Sequence, residues 1–200
     1  MRFSKNSIDK ATFTVQFPAL SSFEQQEPFF YSLINAGVLT KKAFVFKIRR
    51  GSGGSLTLGT VDSAATYTPV TQAAYWSVSG KANNQAISGI IDSGTTLVVA
   101  PTSEAKTFFK SLGLKYTTSQ GQTTATYNCN SPPSVSFTFG GKTINLGAAT
   151  AYGTDSSGNC VLSVIGADVG SAGWIVGDPL FQEATITFDV ANQRVGFSSA

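Results

Sequence analysis

Short runs of alternating apolar and polar residues, separated by glycine turns, constrain the fold of this chain most strongly. The clearest run covers Val135–Phe139, turns at Gly140-Gly141 and continues over Lys142–Leu146. Alternation with a period of two places apolar side chains on one face of a strand, so this segment predicts a β-hairpin. Similar runs predict further strands over residues 44–48, 55–58, 184–189 and 194–197. We therefore expect a mainly β fold.

Two segments predict helices, and both are short. Residues 29–36 follow a proline, have apolar residues at helical spacing and end at Gly37. A second helix is predicted after Pro101, with its apolar residues on one face, and it ends at Gly113. Proline at a helix start and glycine just beyond its end are the usual boundary residues.

Histidine is absent from the 200 residues, and its absence excludes many enzyme classes. A Ser-His-Asp or Cys-His nucleophile cannot be built, and neither can a histidine-ligated metal site. The 2 cysteines are too few for a cysteine-rich zinc site. Acid–base chemistry is left to the 11 carboxylates and to the lysines and tyrosines.

Charge and hydropathy indicate neither a nucleic-acid partner nor a membrane partner. The net charge is +3, although five of the 14 basic residues lie between Lys41 and Arg50. Beside two phenylalanines, that cluster could contact nucleic acid, but a solvated strand end entering a glycine turn explains it more simply. No apolar run approaches the roughly 18 residues of a membrane span. The first residues also lack the apolar core of a signal peptide.

The most informative segment surrounds Asp92. This aspartate follows an apolar run and precedes Ser93-Gly94-Thr95-Thr96, another apolar run and the second predicted helix. Burying a carboxylate is costly unless hydroxyls and backbone N–H groups bond to it. Ser93, Thr95 and Thr96 are placed to supply hydroxyls, and Gly94 permits a close backbone approach. An aspartate that merely caps a turn is the alternative interpretation.

A second motif, Trp174-Ile175-Val176-Gly177-Asp178, follows some eighty residues later and precedes the last predicted strand pair. This motif, the Asp92 segment, the helix after Pro101 and a cysteine pair form an ordered set that resembles the C-terminal lobe of the pepsin-like aspartic proteases. The resemblance covers most of the chain from about Phe17. It implies a single lobe of the pepsin-like acid-protease fold, with antiparallel sheets, a catalytic loop, a ψ-loop and two or three short helices.

The resemblance implies that Asp92 is the C-terminal member of a catalytic aspartate pair. Its supporting catalytic loop would be Ser93, Gly94, Thr95 and Thr96. In that chemistry two facing carboxylates share one proton, because like charges a few ångström apart cannot both ionise. One carboxylate takes a proton from water and the other polarises the scissile carbonyl. The resemblance therefore implies no metal and no organic cofactor.

The resemblance also assigns two structural features. The ψ-loop strand, which passes behind the catalytic loop, would be Ile175, Val176 and Gly177. Cys129 and Cys160 match the disulfide of this lobe. A disulfide and the family together favour an extracellular or vacuolar location, although no signal peptide is visible.

One catalytic aspartate is found where the chemistry needs two. Of the 11 acidic residues, only Asp92 stands in an Asp-Ser/Thr-Gly triplet, and residues 155–158 predict a surface turn instead. We expect residues 1–22 to be a remnant of the N-terminal lobe and residues 23–200 to be the C-terminal lobe. The rest of the N-terminal lobe, with its flap, is expected to be missing. Residues 76–90 are shorter than the family's hairpin, so we expect a strand pair there to be lost or trimmed.

Four functional hypotheses follow. The chain is half of an aspartic endopeptidase, truncated or one of two chains, and acts on a peptide or protein substrate once an N-terminal lobe completes it. Alternatively, a homodimer pairs Asp92 with its counterpart. The third hypothesis is a non-catalytic, protease-like binding or inhibitory protein, in which Asp92 only anchors its loop. The fourth is an inactive fragment.

Overall fold

Short strands dominate the part of the chain that the computed structural model describes, which is residues 29–49, 51, 53–72, 75–170 and 173–200. In this part, 16 strands form one sheet of five strands and one of eleven. The predicted mainly β architecture is thereby confirmed. The prediction for residues 1–22 lies outside the described residues.

The helices and strands follow one another closely along the chain. In order they are α1 (Phe29–Asn35), β1 (Ala43–Lys47), β2 (Ser55–Leu58), β3 (Thr66–Pro69), β4 (Ser77–Ala82), β5 (Gln85–Ile91), β6 (Val98–Ala100), α2 (Thr102–Ser111), β7 (Lys115–Ser119), β8 (Gln122–Tyr127), β9 (Ser136–Phe139), β10 (Lys142–Asn145), a 3-10 turn (Gly147–Thr150), β11 (Ala151–Thr154), β12 (Cys160–Leu162), β13 (Val164–Gly166), β14 (Trp174–Val176), α3 (Asp178–Phe181), β15 (Ala184–Asp189) and β16 (Arg194–Ser199).

The elements with the strongest local signals form as predicted. Helices α1 and α2 are confirmed, and the glycines beyond them, Gly37 and Gly113, both have positive φ. The hairpin of β9 and β10 is also confirmed. Its turn residues have φ of 56° at Gly140 and 88° at Gly141, a left-handed conformation that glycine adopts without strain.

The five-stranded sheet has the order β2-β1-β15-β16-β3, and all its pairings are antiparallel. One face is aromatic. Phe44 stacks on Phe188 with ring centroids 4.8 Å apart, and Phe30 of α1 and Trp76 each meet Phe44 edge to face. This aromatic cluster joins α1 to the sheet. The opposite face is polar and includes Lys47.

The eleven-stranded sheet has the order β10-β9-β4-β5-β14-β6-β13-β8-β12-β11, with β7 paired to β8. Strands β4 and β5 form a regular hairpin from Ser77↔Ile90 to Ala82↔Gln85. The strand pair in this segment is therefore present and its expected loss is wrong, whereas its trimming relative to the family stays a prediction. The hairpin closes through Asn83 at φ 47°, because asparagine tolerates the left-handed conformation that a tight turn requires.

The helix α2 and a disulfide consolidate the large sheet. Ala105, Phe108 and Phe109 of α2 are fully buried in the core. The predicted disulfide between Cys129 and Cys160 is present, and it ties the segment after β8 to the start of β12. Among the helices of the described residues, none has the length and apolar character that crossing a membrane requires.

Candidate active site

Asp92 directly follows strand β5, and backbone hydrogen bonds fix its position. The Asp92 N–H donates to the carbonyl oxygen of Val176 at 3.1 Å. One residue earlier, the Ile91 N–H donates to the carbonyl oxygen of Trp76 at 3.0 Å. The Asp92 residue itself is only partly buried, so a rigid sheet edge presents a carboxylate that solvent can reach.

Both oxygens of the Asp92 carboxylate accept a hydrogen bond from the loop that follows. The Gly94 N–H donates to Oδ1 at 2.9 Å, and the Thr95 hydroxyl donates to Oδ2 at 2.6 Å. A Cβ at Gly94 would lie 3.2 Å from Oδ1, a closer contact than a side chain normally makes there. The hydroxyls of Ser93 and Thr96 make no hydrogen bond within the described residues. Thr95 is thus the one predicted hydroxyl that contacts the carboxylate.

Strand β14 is inserted between β5 and β6, the two strands that flank the loop of residues 92–97, which we call the Asp92 loop. It runs parallel to β5, with Ile175 opposite Ile90, and antiparallel to β6, with Ile175 opposite Val99. Val176 likewise lies between Ile91 and Val98. Two strands that are consecutive in the chain are thus separated by a third from near the C-terminus, which is the arrangement of a ψ-loop.

Gly177 follows β14 directly behind the Asp92 loop, and it leaves no room for a side chain. A Cβ at this position would lie 1.9 Å from the carbonyl oxygen of Thr95 and 2.4 Å from that of Leu97. The next residue, Asp178, donates its N–H to the same Thr95 carbonyl at 2.8 Å. The chain from Val176 to Asp178 therefore holds the loop at both of its ends.

Asp178 is a second carboxylate in the electrostatic field of Asp92. Its pKa is raised above the ordinary value, first by burial and then by the negative charge of Asp92. It begins α3 and is partly buried. The sequence motif includes Asp178 after Gly177, but it gives no sign that the charge of Asp92 acts on this carboxyl group. That proximity appears only in the folded chain.

A hydrogen bond between α2 and β14 was not predicted. The indole Nε1 of the fully buried Trp174 donates to Glu104 Oε2 at 2.7 Å. The Thr102 N–H, at the start of α2, donates to Asp168 Oδ1 at 2.9 Å. Helix α2 is therefore anchored to the strand behind the Asp92 loop. The sequence signal was weak, because an acidic residue in a first helical turn is common without any such partner.

Two other acidic residues, Asp155 and Asp189, have structural roles. Asp155 Oδ1 accepts hydrogen bonds from the N–H groups of Ser157 and Asn159, which confirms the predicted surface turn. Asp189 is buried and bonds to Arg194 at 2.8 Å and to Asn192. Within the described residues no three His, Cys, Asp or Glu side chains come together as a metal site would require.

Comparison with known proteins identifies the family. The model of the eukaryotic aspartyl protease family matches residues 5–200. A secreted aspartyl protease 1 of Malassezia globosa is 30% identical over 98% of this chain and 52% of its own length. An aspartic protease of Phaffia rhodozyma is 38% identical over 91% and 49%, and the chymosin of Camelus dromedarius is 30% identical over 92% and 51%.

The chain spans about half the length of the curated relatives it matches. The predicted resemblance to the pepsin-like aspartic proteases is confirmed by these matches and by the single-lobe β fold. The chain therefore belongs to the eukaryotic aspartyl protease family.

Proposed function

We propose that this chain supplies one of the two catalytic aspartates of an endopeptidase, and that Asp92 is that residue. The supporting observation is the geometry of its carboxylate. Both oxygens are held by the chain's own loop, by Gly94 at 2.9 Å and Thr95 at 2.6 Å, while the residue stays partly accessible. A carboxylate that only capped a turn would not need a separate strand, β14, inserted behind it.

The proposed reaction is hydrolysis of a peptide bond by a water molecule that the two carboxylates activate. Asp92 and its counterpart share one proton, so that one is ionised and the other is neutral. The ionised carboxylate takes a proton from the water as the water attacks, and the neutral one donates a hydrogen bond to the scissile carbonyl. The hydrogen bonds from Gly94 and Thr95 fix the orientation of the Asp92 carboxylate throughout.

The second carboxylate must come from another lobe. Asp178 does not fill this role, because it starts α3 and its N–H supports the Asp92 loop through the Thr95 carbonyl. An N-terminal lobe of the family would supply the facing aspartate, and the substrate would be a peptide or protein. A homodimer that pairs Asp92 with its counterpart is the less favoured completion, since this lobe offers no clear counterpart of the flap.

We also propose that the protein works in an oxidising compartment, outside the cell or in a vacuole. The Cys129–Cys160 disulfide supports this location, because disulfides persist in such compartments and are rare in the reducing cytosol. One relative is named a secreted aspartyl protease.

The test is complementation. The chain is refolded with a separate N-terminal lobe from the family, and peptide cleavage is measured from acidic to neutral pH. We expect acid-optimal cleavage that pepstatin inhibits, and we expect Asp92→Asn to reduce kcat/KM by about 1,000-fold or more. The control Asp155→Asn, in a surface turn, should leave the rate unchanged.

Each other outcome selects an alternative. A correctly folded complex without hydrolysis would contradict the proposal, and binding that Asp92→Asn leaves unchanged would then favour the non-catalytic hypothesis. Cleavage by the chain alone would favour the homodimer, which analytical ultracentrifugation would have to detect.

A further inference from the structure

We propose that the polar face of the five-stranded sheet carries a binding site for a small oxyanion of the phosphate or sulfate class. The site is a cavity of about 540 Å³ that lies over β1, β2, β15 and β16. The loop from Thr60 to Ala64 and the side chain of Lys142 form its walls. It lies on a different sheet from the one that holds the Asp92 loop.

A row of polar side chains forms the floor of this cavity. In the strand register, Lys47 lies opposite both Ser55 and Thr185, and Thr185 lies opposite Ser198. Residues directly opposite one another in antiparallel strands project from the same face of a sheet. Lys47 therefore shares this face with hydroxyl groups from β2, β15 and β16.

The charges in the cavity leave an unbalanced cation. Lys47 is partly buried and makes no ion pair or side-chain hydrogen bond within the described residues. Lys142 donates to the Ser199 hydroxyl at 3.0 Å, which holds its ammonium group at the wall. Among the described residues of the lining, Asp62 is the one acidic residue, and a single carboxylate cannot neutralise two ammonium groups.

Each oxygen of the Asp62 carboxylate accepts a hydrogen bond from the protein. Its Oδ1 accepts the Ala64 N–H at 2.8 Å, and its Oδ2 accepts a short hydrogen bond from the Ser198 hydroxyl. Asp62 therefore stabilises the wall of the cavity through these hydrogen bonds. The described residues provide no counter-charge for Lys47.

Thr185 provides a further donor on the floor of the cavity. Its residue is only 8% exposed and lines the cavity, and its hydroxyl has no hydrogen-bond partner within the described part of the chain. The hydroxyl oxygen is not sealed from solvent, so it faces the open cavity. An acceptor bound inside the cavity would receive its hydrogen bond.

The chemistry of the lining selects an oxyanion. Ammonium and hydroxyl groups are donors, and their charge-assisted hydrogen bonds to an anionic oxygen are stronger than bonds to a neutral acceptor. Among the described lining residues, only Val45, Val61 and Ala64 have apolar side chains, and the other nine carry hydroxyl, ammonium or carboxyl groups. Free phosphate, free sulfate and a phosphate or sulfate ester all share the required group.

The test is a titration of the 200-residue chain with inorganic phosphate and with sulfate at constant ionic strength, followed by ¹H–¹⁵N NMR. We expect saturable shifts at the amides of Lys47, Thr185 and Ser198, with a Kd of about 1 mM. Chloride at the same ionic strength should produce none of these shifts. A parallel titration with glycerol phosphate distinguishes an ester from the free ion by its relative affinity.

Matched variants locate the binding. Lys47→Met should raise the Kd about tenfold, and Thr185→Val should raise it about threefold, because each removes one donor. Lys115→Met, at an exposed strand position in the other sheet, should leave the Kd unchanged. If Lys47→Met does not fold, the Kd values of Thr185→Val and Lys142→Met provide the test.

Absence of saturation, or equal Kd values for Lys47→Met and Lys115→Met, would overturn the proposal. No proteolytic assay is involved.

Discussion

At Gly177 a single hydrogen atom occupies the space in which any side chain would collide with the Asp92 loop. Its neighbours are backbone carbonyl oxygens, of Thr95 and Leu97, which cannot rotate away as a flexible side chain can. This glycine is required by the close approach of two chain segments, since its φ of −100° is accessible to any residue.

Gly177→Ala should therefore destabilise the protein strongly. We expect a loss of about 3 kcal/mol or more in the free energy of unfolding, measured by urea denaturation, because the loop and β14 must separate. Gly153→Ala is the matched control, since nothing lies within 4 Å of a Cβ built there. Its effect should stay within about 1 kcal/mol. Equal midpoints for the two variants would refute this account of the loop.

Residue-level prediction from the sequence succeeded where the partners are local. Asp92, Gly94 and Thr95 are adjacent in the chain, so a short motif indicated their hydrogen bonds. It also suggested two further hydroxyls, of Ser93 and Thr96, that point to no partner in the described residues. The pair of Glu104 and Trp174 is separated by 70 positions, and no local pattern encodes such a contact.

Among the helices and strands, too, those defined by local sequence were predicted, and those defined by distant partners had no local signal. Helices α1 and α2 and the β9–β10 hairpin have boundary residues and periodicity of their own. Strands β6, β13 and β14 have three residues each, and of these only β14 was predicted, through the family resemblance. They exist because neighbouring strands pair with them. A three-residue apolar run has no measurable period, so tertiary pairing decides its conformation.

The β8–β12 region depends on a covalent link between elements. Cys129 and Cys160 are 31 positions apart, and a loop of that length contributes about 3–4 kcal/mol of stability through the reduced entropy of the unfolded chain. We expect the double variant Cys129→Ala/Cys160→Ala to lose this amount in urea denaturation. Dithiothreitol should weaken the parent chain equally and leave the double variant unaffected. A parent chain insensitive to dithiothreitol would contradict the prediction.

For the molecule as a whole, two buried or partly buried carboxyls make opposite contributions to the dependence of stability on pH. The pKa of Asp178 is raised by burial and by the charge of Asp92. Burial would also raise the pKa of Asp189, but hydrogen bonds from Asn192 and Arg194 outweigh it and hold that pKa below its usual value. Unfolding returns both groups to a pKa of about 3.9.

The two variants Asp178→Asn and Asp189→Asn should therefore diverge as the pH changes. Ionised Asp178 destabilises the fold as pH rises from its unfolded pKa through its folded pKa, so Asp178→Asn should gain stability relative to the parent above about pH 4. Ionised Asp189 stabilises the fold above its unfolded pKa, and this contribution is lost as pH falls through its folded pKa. Asp189→Asn should be the less stable variant near neutral pH and approach the parent in acid.

Urea denaturation at a series of pH values measures both differences. If the two variants showed the same pH dependence relative to the parent, the assigned environments of the two carboxyls would be wrong. The stability of the fold in acid also bears on the proposed function. The chemistry of paired aspartates requires one of the two carboxyls to be protonated.

The position of β14 also dictates an order of assembly during synthesis. Strands β5 and β6 leave the ribosome some eighty residues before Trp174, yet the space between them is filled only by β14. Until then, the edges of β5 and β6 that later pair with β14 lack their native partner. Asp92 also lacks the carbonyl of Val176 that receives its N–H. Pairing across so long a stretch of chain is slow. The nascent lobe therefore completes its Asp92 loop among its last steps and exposes two strand edges to other chains beforehand.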